Sequence, residues 1–462
     1  MSDSVLNVRA ELAARAALLR DACDRAVAYL ASVADRGVAP NADAVAGLAA
    51  LDFGLARRGL AAPEVLRLLD TVGSPATVTS NGPRYFGFVT GGTLPAAQAA
   101  TWLTAAWDQN AALTVMSPAA ARIGAVALRW VAGLLGLPPG TAGGFVTGAT
   151  MANSTCLAAA RDAVLTRAGW DASGAGLVGA PPITVVVGAE AHAAVRKALG
   201  LVGLGRDRAV VLPADGQGRI EARDLPGLAG PAIVCLQAGN VNSGASDPFR
   251  PLIKWAREQG AWVHVDGAFG LWAAACPKVS AQVTGVELAD SWATDCHKWL
   301  NTGYDCGIAL VRDCSALAAS MESAAAYLPG GASEAMFLTP QSSQRARGVE
   351  VWAALAALGQ DGVAELVGTS CRLARKFAAG MQAAGFEVLN DVVLNQVLVS
   401  FGSASLTDDV IAAVQSEGTC WCGPTTWHGT RAMRVSVSGW STTDADIGAS
   451  VEAVRTCATR HP

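Results

Sequence analysis

Three regimes of hydrophobic patterning follow one another along the chain. Over residues 1–75 apolar side chains recur three and four positions apart, the spacing of amphipathic helices, and Gly37-Val38-Ala39-Pro40-Asn41 interrupts the first such stretch. Two or three helices are expected there. From about residue 76 to 325 the pattern changes to short apolar runs separated by helical stretches. Gly144-Phe145-Val146-Thr147 leads into a helical pattern over 152–161, and Ile183-Thr184-Val185-Val186-Val187 into one over 192–199. Ala232-Ile233-Val234-Cys235-Leu236, Ala261-Trp262-Val263-His264-Val265 and Cys306-Gly307-Ile308-Ala309-Leu310-Val311 are further runs of the same kind. Such alternation predicts an α/β fold with a mostly parallel sheet covered on both faces by helices. Beyond that, a helix over 349–358, strands over 395–401 and 431–437 and a closing helix predict a smaller α+β unit. The expected division is an N-terminal helical segment (1–75), a large α/β domain (76–345) and a small C-terminal domain (346–462).

Composition narrows the class. The chain has 462 residues, 52% of them hydrophobic and 16% charged, which excludes a disordered chain. Lys plus Arg number 34 and Asp plus Glu 38, a formal charge of -4 that argues against nucleic acid or an anionic membrane as partner. No uncharged apolar run reaches the ~18 residues of a membrane span. The charged, amphipathic start MSDSVLNVRAELAARAALLRDACDRAV does not read as a signal peptide. The 11 cysteines are scattered, with only Cys420 and Cys422 close together, so free thiols in a reducing cytoplasm are expected. No His/Cys cluster has zinc-ligand spacing, and no metal is expected.

Three segments carry candidate chemistry. Asp266 ends the apolar run Trp262-Val263-His264-Val265, which places a carboxylate at the edge of an α/β sheet where ligands bind. Downstream, Asp295-Cys296-His297-Lys298-Trp299 sets Lys298 in a polar break between apolar stretches. Each alone also reads blandly, Asp266 as a helix cap and Lys298 as a surface charge. Thr147-Gly148-Ala149-Thr150 joins a strand to a helix through small residues, and the free amides of a helix N-terminus suit a phosphate. It matches neither nucleotide-binding glycine motif. His192, just after a strand, is placed to lie flat on a planar cofactor or to cap the next helix.

Taken in order, these segments resemble the pyridoxal-phosphate-dependent decarboxylases of the aromatic amino acid and glutamate decarboxylase group. Further likeness lies in Pro83-Arg84-Tyr85-Phe86-Gly87-Phe88, Ala106-Trp107-Asp108-Gln109-Asn110, Ser117-Pro118-Ala119, Arg345-Ala346-Arg347, Gly423-Pro424-Thr425-Thr426-Trp427 and Arg434-Val435-Ser436. The resemblance implies the fold-type I architecture with a seven-stranded sheet, pyridoxal 5'-phosphate as cofactor, and a homodimer with active sites at the interface. It implies a Schiff base at Lys298, Asp266 on the pyridinium nitrogen, and His192 stacked on the ring. Thr147, Gly148, Ala149, Thr150 and His297 would surround the phosphate, Ala268 would lie under the other ring face, and Gln237 would stand near the ring oxygen. Tyr85, Phe86 and Trp107 would meet an aromatic or large apolar side chain. Arg84 is the cation available for an acidic one.

The implied reaction is decarboxylation of an L-amino acid to amine and carbon dioxide through a quinonoid. One departure bears on its last step. The family's catalytic loop commonly carries a tyrosine that returns a proton to Cα, whereas residues 328–340 here have none. Phenylalanine in that role accompanies oxidative release of an aldehyde, and Phe337 lies near the expected place. His192 and Tyr327 are other donors. Amine, aldehyde and another carbon–carbon lyase chemistry remain the alternatives.

Overall fold

The computed structural model describes residues 8–321 and 334–460. Its main sheet grows from the apolar runs. Strand β1 spans Ala142–Val146, β2 Thr184–Gly188, β3 Val210–Leu212, β4 Ala232–Gln237, β5 Trp262–Asp266, β6 Ser291–Asp295 and β7 Gly307–Val311. They lie in the order β1-β7-β6-β5-β4-β2-β3. Pairings from β3 through β6 are parallel, and β7 runs antiparallel to both β1 and β6. In β4 the side chains Ala232, Val234 and Leu236 enter one core, while Ile233 and Cys235 enter the core on the opposite face. That period of two, with both faces buried, is why these strands read as unbroken apolar runs.

Strand β6 was not among the expected runs. Only Trp292 and Ala293 of its five residues are apolar, and Ser291, Thr294 and Asp295 are buried polar residues. Ser291 is tolerated there because its hydroxyl accepts the Trp262 indole N–H at 2.9 Å and lies 3.0 Å from His264 Nδ1. Strand β3 escaped notice because it is a three-residue edge.

A second, antiparallel sheet contains β8 (Glu387–Val388), β9 (Gln396–Ser400), β10 (Gly423–Trp427) and β11 (Thr430–Ser436), ordered β10-β11-β9-β8. Pro424 is admitted because β10 is an edge strand. The expected helix over 349–358 is part of a longer helical stretch, Arg347–Ala383, broken only at Gly359, where φ is 62° and ψ -174°. Before the large sheet come helices Val8–Ser32, Ala42–Gly47 and Ala62–Leu68, the second capped by Asn41 after the predicted break. All eleven cysteines are free thiols, and no helix among the described residues is long and apolar enough to cross a membrane.

Candidate active site

Strands β1, β4, β5 and β6 all end at the same sheet edge, because β1 and β6 share an antiparallel partner and β4, β5 and β6 are parallel. The residues that follow them therefore converge. From β1 comes the turn Thr147-Gly148 and the helix Ala149–Arg167, whose N-cap Gly148 provides no side-chain cap. A Cβ on Gly148 would stand 3.1 Å from the His297 ring, and one on Gly307 would stand 2.5 Å from Gly148 Cα. Small residues are required because two backbones and a histidine meet here.

Asp266, at the end of β5, is 3% exposed, and its Oδ1 accepts the Ala268 N–H at 3.2 Å. Burial pushes its carboxyl above the usual range, against the opposing pull of His192 and Lys298. Gln237 is its register partner on β4 and is nearly buried. Of the two roles its position suggested for His192, the structure shows the helix cap. His192 caps the helix Ala193–Leu201, with Nδ1 accepting the Ala194 N–H at 3.2 Å, and it faces Asp266 and Lys298. Burial pulls its pKa below the ordinary histidine range, and Nδ1, as acceptor of the Ala194 N–H, leaves the ring N–H on Nε2.

The turn after β6 delivers Lys298, whose Nζ lies 2.9 Å from Asp295 Oδ2. His297 Nδ1 accepts the Cys306 N–H at 3.1 Å, which leaves Nε2 directed at Asp295 Oδ1, 3.5 Å away. Burial lowers the His297 pKa as well. Asn301, buried with a φ of 57°, pins the turn by donating to the carbonyls of Trp299 at 2.9 Å, Ser438 at 3.0 Å and Lys298 at 3.3 Å.

Several residues here escaped the sequence reading. Asp295 is 2% exposed and accepts the Ala149 N–H at 2.5 Å. Tyr304 stacks on His297 with ring centroids 4.4 Å apart, and its hydroxyl lies 3.3 Å from Thr90 Oγ1. Arg434, on β11, faces His192 and is largely buried, and its guanidinium has no hydrogen-bond or ion-pair partner among the described residues. Asp295 and Arg434 stand within recognised motifs, but the groups their side chains face, the Ala149 N–H and His192, come from other segments, and Tyr304 follows Lys298 with no pattern to mark it.

The proposed substrate contacts divide. Tyr85 is buried against Trp421, rings stacked at 5.1 Å, close enough to Tyr304 that the two phenols interact; burial is the larger reason its pKa is pushed up to about 12. Phe86 does not line the opening. It is 1% exposed and packs on Phe377 in the core of the small sheet. Trp107 ends the helix Pro95–Trp107 and is 42% exposed, on a surface that the described residues do not cover. Arg84 is committed elsewhere, to Asp446 and the carbonyls of Thr419 and Ala34. Phe337 is buried against Ala112, Leu113 and Met336, an apolar setting that suits its ring. Tyr327 lies outside the described residues. A cavity of about 640 Å³ opens at the opposite edge of the sheet beside Arg257, Trp262 and Asp290.

A primary amine, a buried carboxylate, a neutral imidazole and a helix N-terminus built from small residues fit the aldehyde, ring nitrogen, ring face and phosphate of pyridoxal phosphate. Comparison with known proteins agrees. Residues 62–402 match the family described as pyridoxal-dependent decarboxylase conserved domain. Tryptophan decarboxylase 1 of Oryza sativa subsp. japonica is 30% identical over 361 residues, 71% of this chain and 69% of that protein. Phenylacetaldehyde synthase of Arabidopsis thaliana is 28% identical over 356 residues, 70% and 71% of the two. Among solved structures, Oryza sativa TDC with PLP and tryptamine superposes with a TM-score of 0.89 at 24% identity, over 99% of both chains.

Proposed function

The chain belongs to the pyridoxal-dependent decarboxylase family, and we propose that within it this protein converts an aromatic or large apolar L-amino acid to its amine and carbon dioxide. Lys298, Asp266 and His192 are the catalytic residues of this reading. The observation that carries it is their convergence on one sheet edge beside the helix N-terminus at Ala149. Pyridoxal phosphate, held through Lys298, supplies an electron sink for the pair left behind when the Cα–carboxylate bond breaks.

The protein's own groups then have distinct tasks. Thr147, the amides of Gly148, Ala149 and Thr150, and His297 receive the phosphate. Asp266 keeps the ring nitrogen protonated, and that partnership offsets the burial that otherwise disfavours its charge. His192 covers one ring face, with Ala268 leaving room at the other and Gln237 beside Asp266. Arg434 offers its unpaired cation to the amino acid's carboxylate. Tyr85 and Tyr304 border the substrate side chain.

A proton must finally reach Cα. The described residues bring two phenols and the Nε2 N–H of His192 to this cleft, and Tyr304, stacked on His297, favours amine over aldehyde. Phe337 is buried with Ala112, Leu113 and Met336, and the oxidative alternative rests on the tyrosine-free stretch 328–340. We also take the protein to be a cytoplasmic homodimer divided near residues 75 and 345. The helix Val8–Ser32 supports a dimer, since none of its residues is buried and Leu12 and Leu19 are 54% and 60% exposed.

Incubating the cofactor-loaded protein with each common L-amino acid, with and without oxygen, tests the reading by mass spectrometry of the products. Amine matching carbon dioxide, independent of oxygen, is expected; aldehyde formed only with oxygen would replace it with the oxidative alternative.

A further inference from the structure

A carboxylate occupies the proposed phosphate cradle. Asp295 Oδ1 takes the Ala149 N–H, the first amide of the helix Ala149–Arg167, and Oδ2 pairs with Lys298. The backbone that carries this carboxylate is fixed, and the carboxylate lies against the turn. Its N–H donates to the Ala268 carbonyl at 2.9 Å, its own carbonyl accepts the Trp272 indole N–H at 3.1 Å, and Oδ1 lies 3.3 Å from where a Gly148 Cβ would be. His297 Nε2 faces the same oxygen at 3.5 Å. A helix N-terminus that already holds one anion is a weaker site for a second, because like charges in a water-poor cleft repel.

We propose that Asp295 is an affinity-setting residue, its carboxylate competing with the cofactor's phosphate for the Ala149 amide and the neighbouring cations. The consequence is a cofactor held less firmly by its phosphate than an amide cradle alone would hold it, and therefore exchangeable. This rests on the cofactor reading above. It adds that the cradle contains its own competitor.

The test is binding to the cofactor-free protein, followed by tryptophan fluorescence and by the visible absorbance of lysine-bound pyridoxal. Asp295→Asn is expected to bind inorganic phosphate and pyridoxal phosphate about tenfold tighter or more, as removal of a nearby like charge requires. Pyridoxal, which lacks the phosphate, should gain nothing. Phosphate binding that is unchanged or weaker would overturn the proposal. So would an equal gain for pyridoxal, which would put the effect at Lys298 and not in the cradle. The unsubstituted protein gives a second measure should the variant not fold. Its preference for pyridoxal phosphate over pyridoxal should stay below roughly a hundredfold, about 2.7 kcal/mol, and a larger preference would refute the competing carboxylate. No visible band with either compound would defeat the cofactor reading itself, an outcome distinct from all of these.

Discussion

At Asn301 a single buried amide holds three carbonyls, two of them in the turn that presents Lys298. Replacing it by alanine removes the side-chain donor to the Trp299 and Ser438 carbonyls, leaves the Lys298 carbonyl only the backbone N–H at 3.1 Å, and asks a residue with a Cβ and no side-chain acceptor to keep a φ of 57°. Asn301→Ala is expected to destabilise the protein by about 2 kcal/mol and to loosen Lys298. Thermal unfolding and the visible band of bound cofactor measure the two effects separately, and an unchanged melting point would refute the anchoring role. Tyr304 is a different kind of residue, largely exposed and held by ring stacking and one hydroxyl contact. Tyr304→Phe keeps the stack and removes the proton. The expected result is a larger share of aldehyde in the product, with little change in stability, read by product mass and melting curve.

At the scale of elements, two glycines in helices should respond oppositely to the same substitution. Gly359 interrupts the stretch Arg347–Ala383 with a φ of 62°, and no atom lies within 4 Å of its Cβ position. Space is free, so the backbone alone decides, and Gly359→Ala should cost about 1 kcal/mol. Gly448 lies inside the regular helix Asp444–Thr459, also with nothing within 4 Å. Gly448→Ala should stabilise by about 0.5–1 kcal/mol, through helix propensity and a less flexible unfolded chain. Unfolding midpoints of the two variants, moving in opposite directions, check the reading.

For the whole molecule, two buried groups set opposing responses to pH. Asp247 accepts the N–H groups of Ile220 and Gln237, and burial pushes its pKa from 3.8 up to about 7. The folded protein thus keeps a proton that the unfolded chain has lost, and this group makes stability fall as pH rises from about 4 to about 7. His264, between Asn153 and Ser291, is lowered by burial from 6.5 to about 3. Here the unfolded chain binds the proton first, so stability falls as pH drops from about 6.5 to about 3. Over the shared window the two slopes, each up to about 1.4 kcal/mol per pH unit, oppose one another. Asp247→Asn should make stability rise more steeply with pH between about 4 and 6.5, and His264→Gln should tilt it the other way. Unfolding midpoints across that range test both signs; parallel profiles for the two variants would contradict them.

What the sequence by itself determined is local or periodic. Apolar runs of four to six residues marked β1, β2, β4, β5 and β7, and the order of the motifs around Thr147, His192, Asp266 and Lys298 carried the family resemblance. These are legible because strand burial and cofactor chemistry constrain neighbouring residues. Strand β6 was not legible, since two of its polar side chains find partners on other segments, Ser291 with Trp262 and His264 and Asp295 with Ala149. Only the tertiary structure turned Phe86 and Phe337 into the core and committed Arg84 to Asp446. It also brought Asp295, Tyr304 and Arg434 to one cleft from β6, the loop after it and the second sheet. The physical reason is the same in each case. A side chain's surroundings are fixed by strand order and by the face it occupies, and both depend on pairings between segments far apart in the chain.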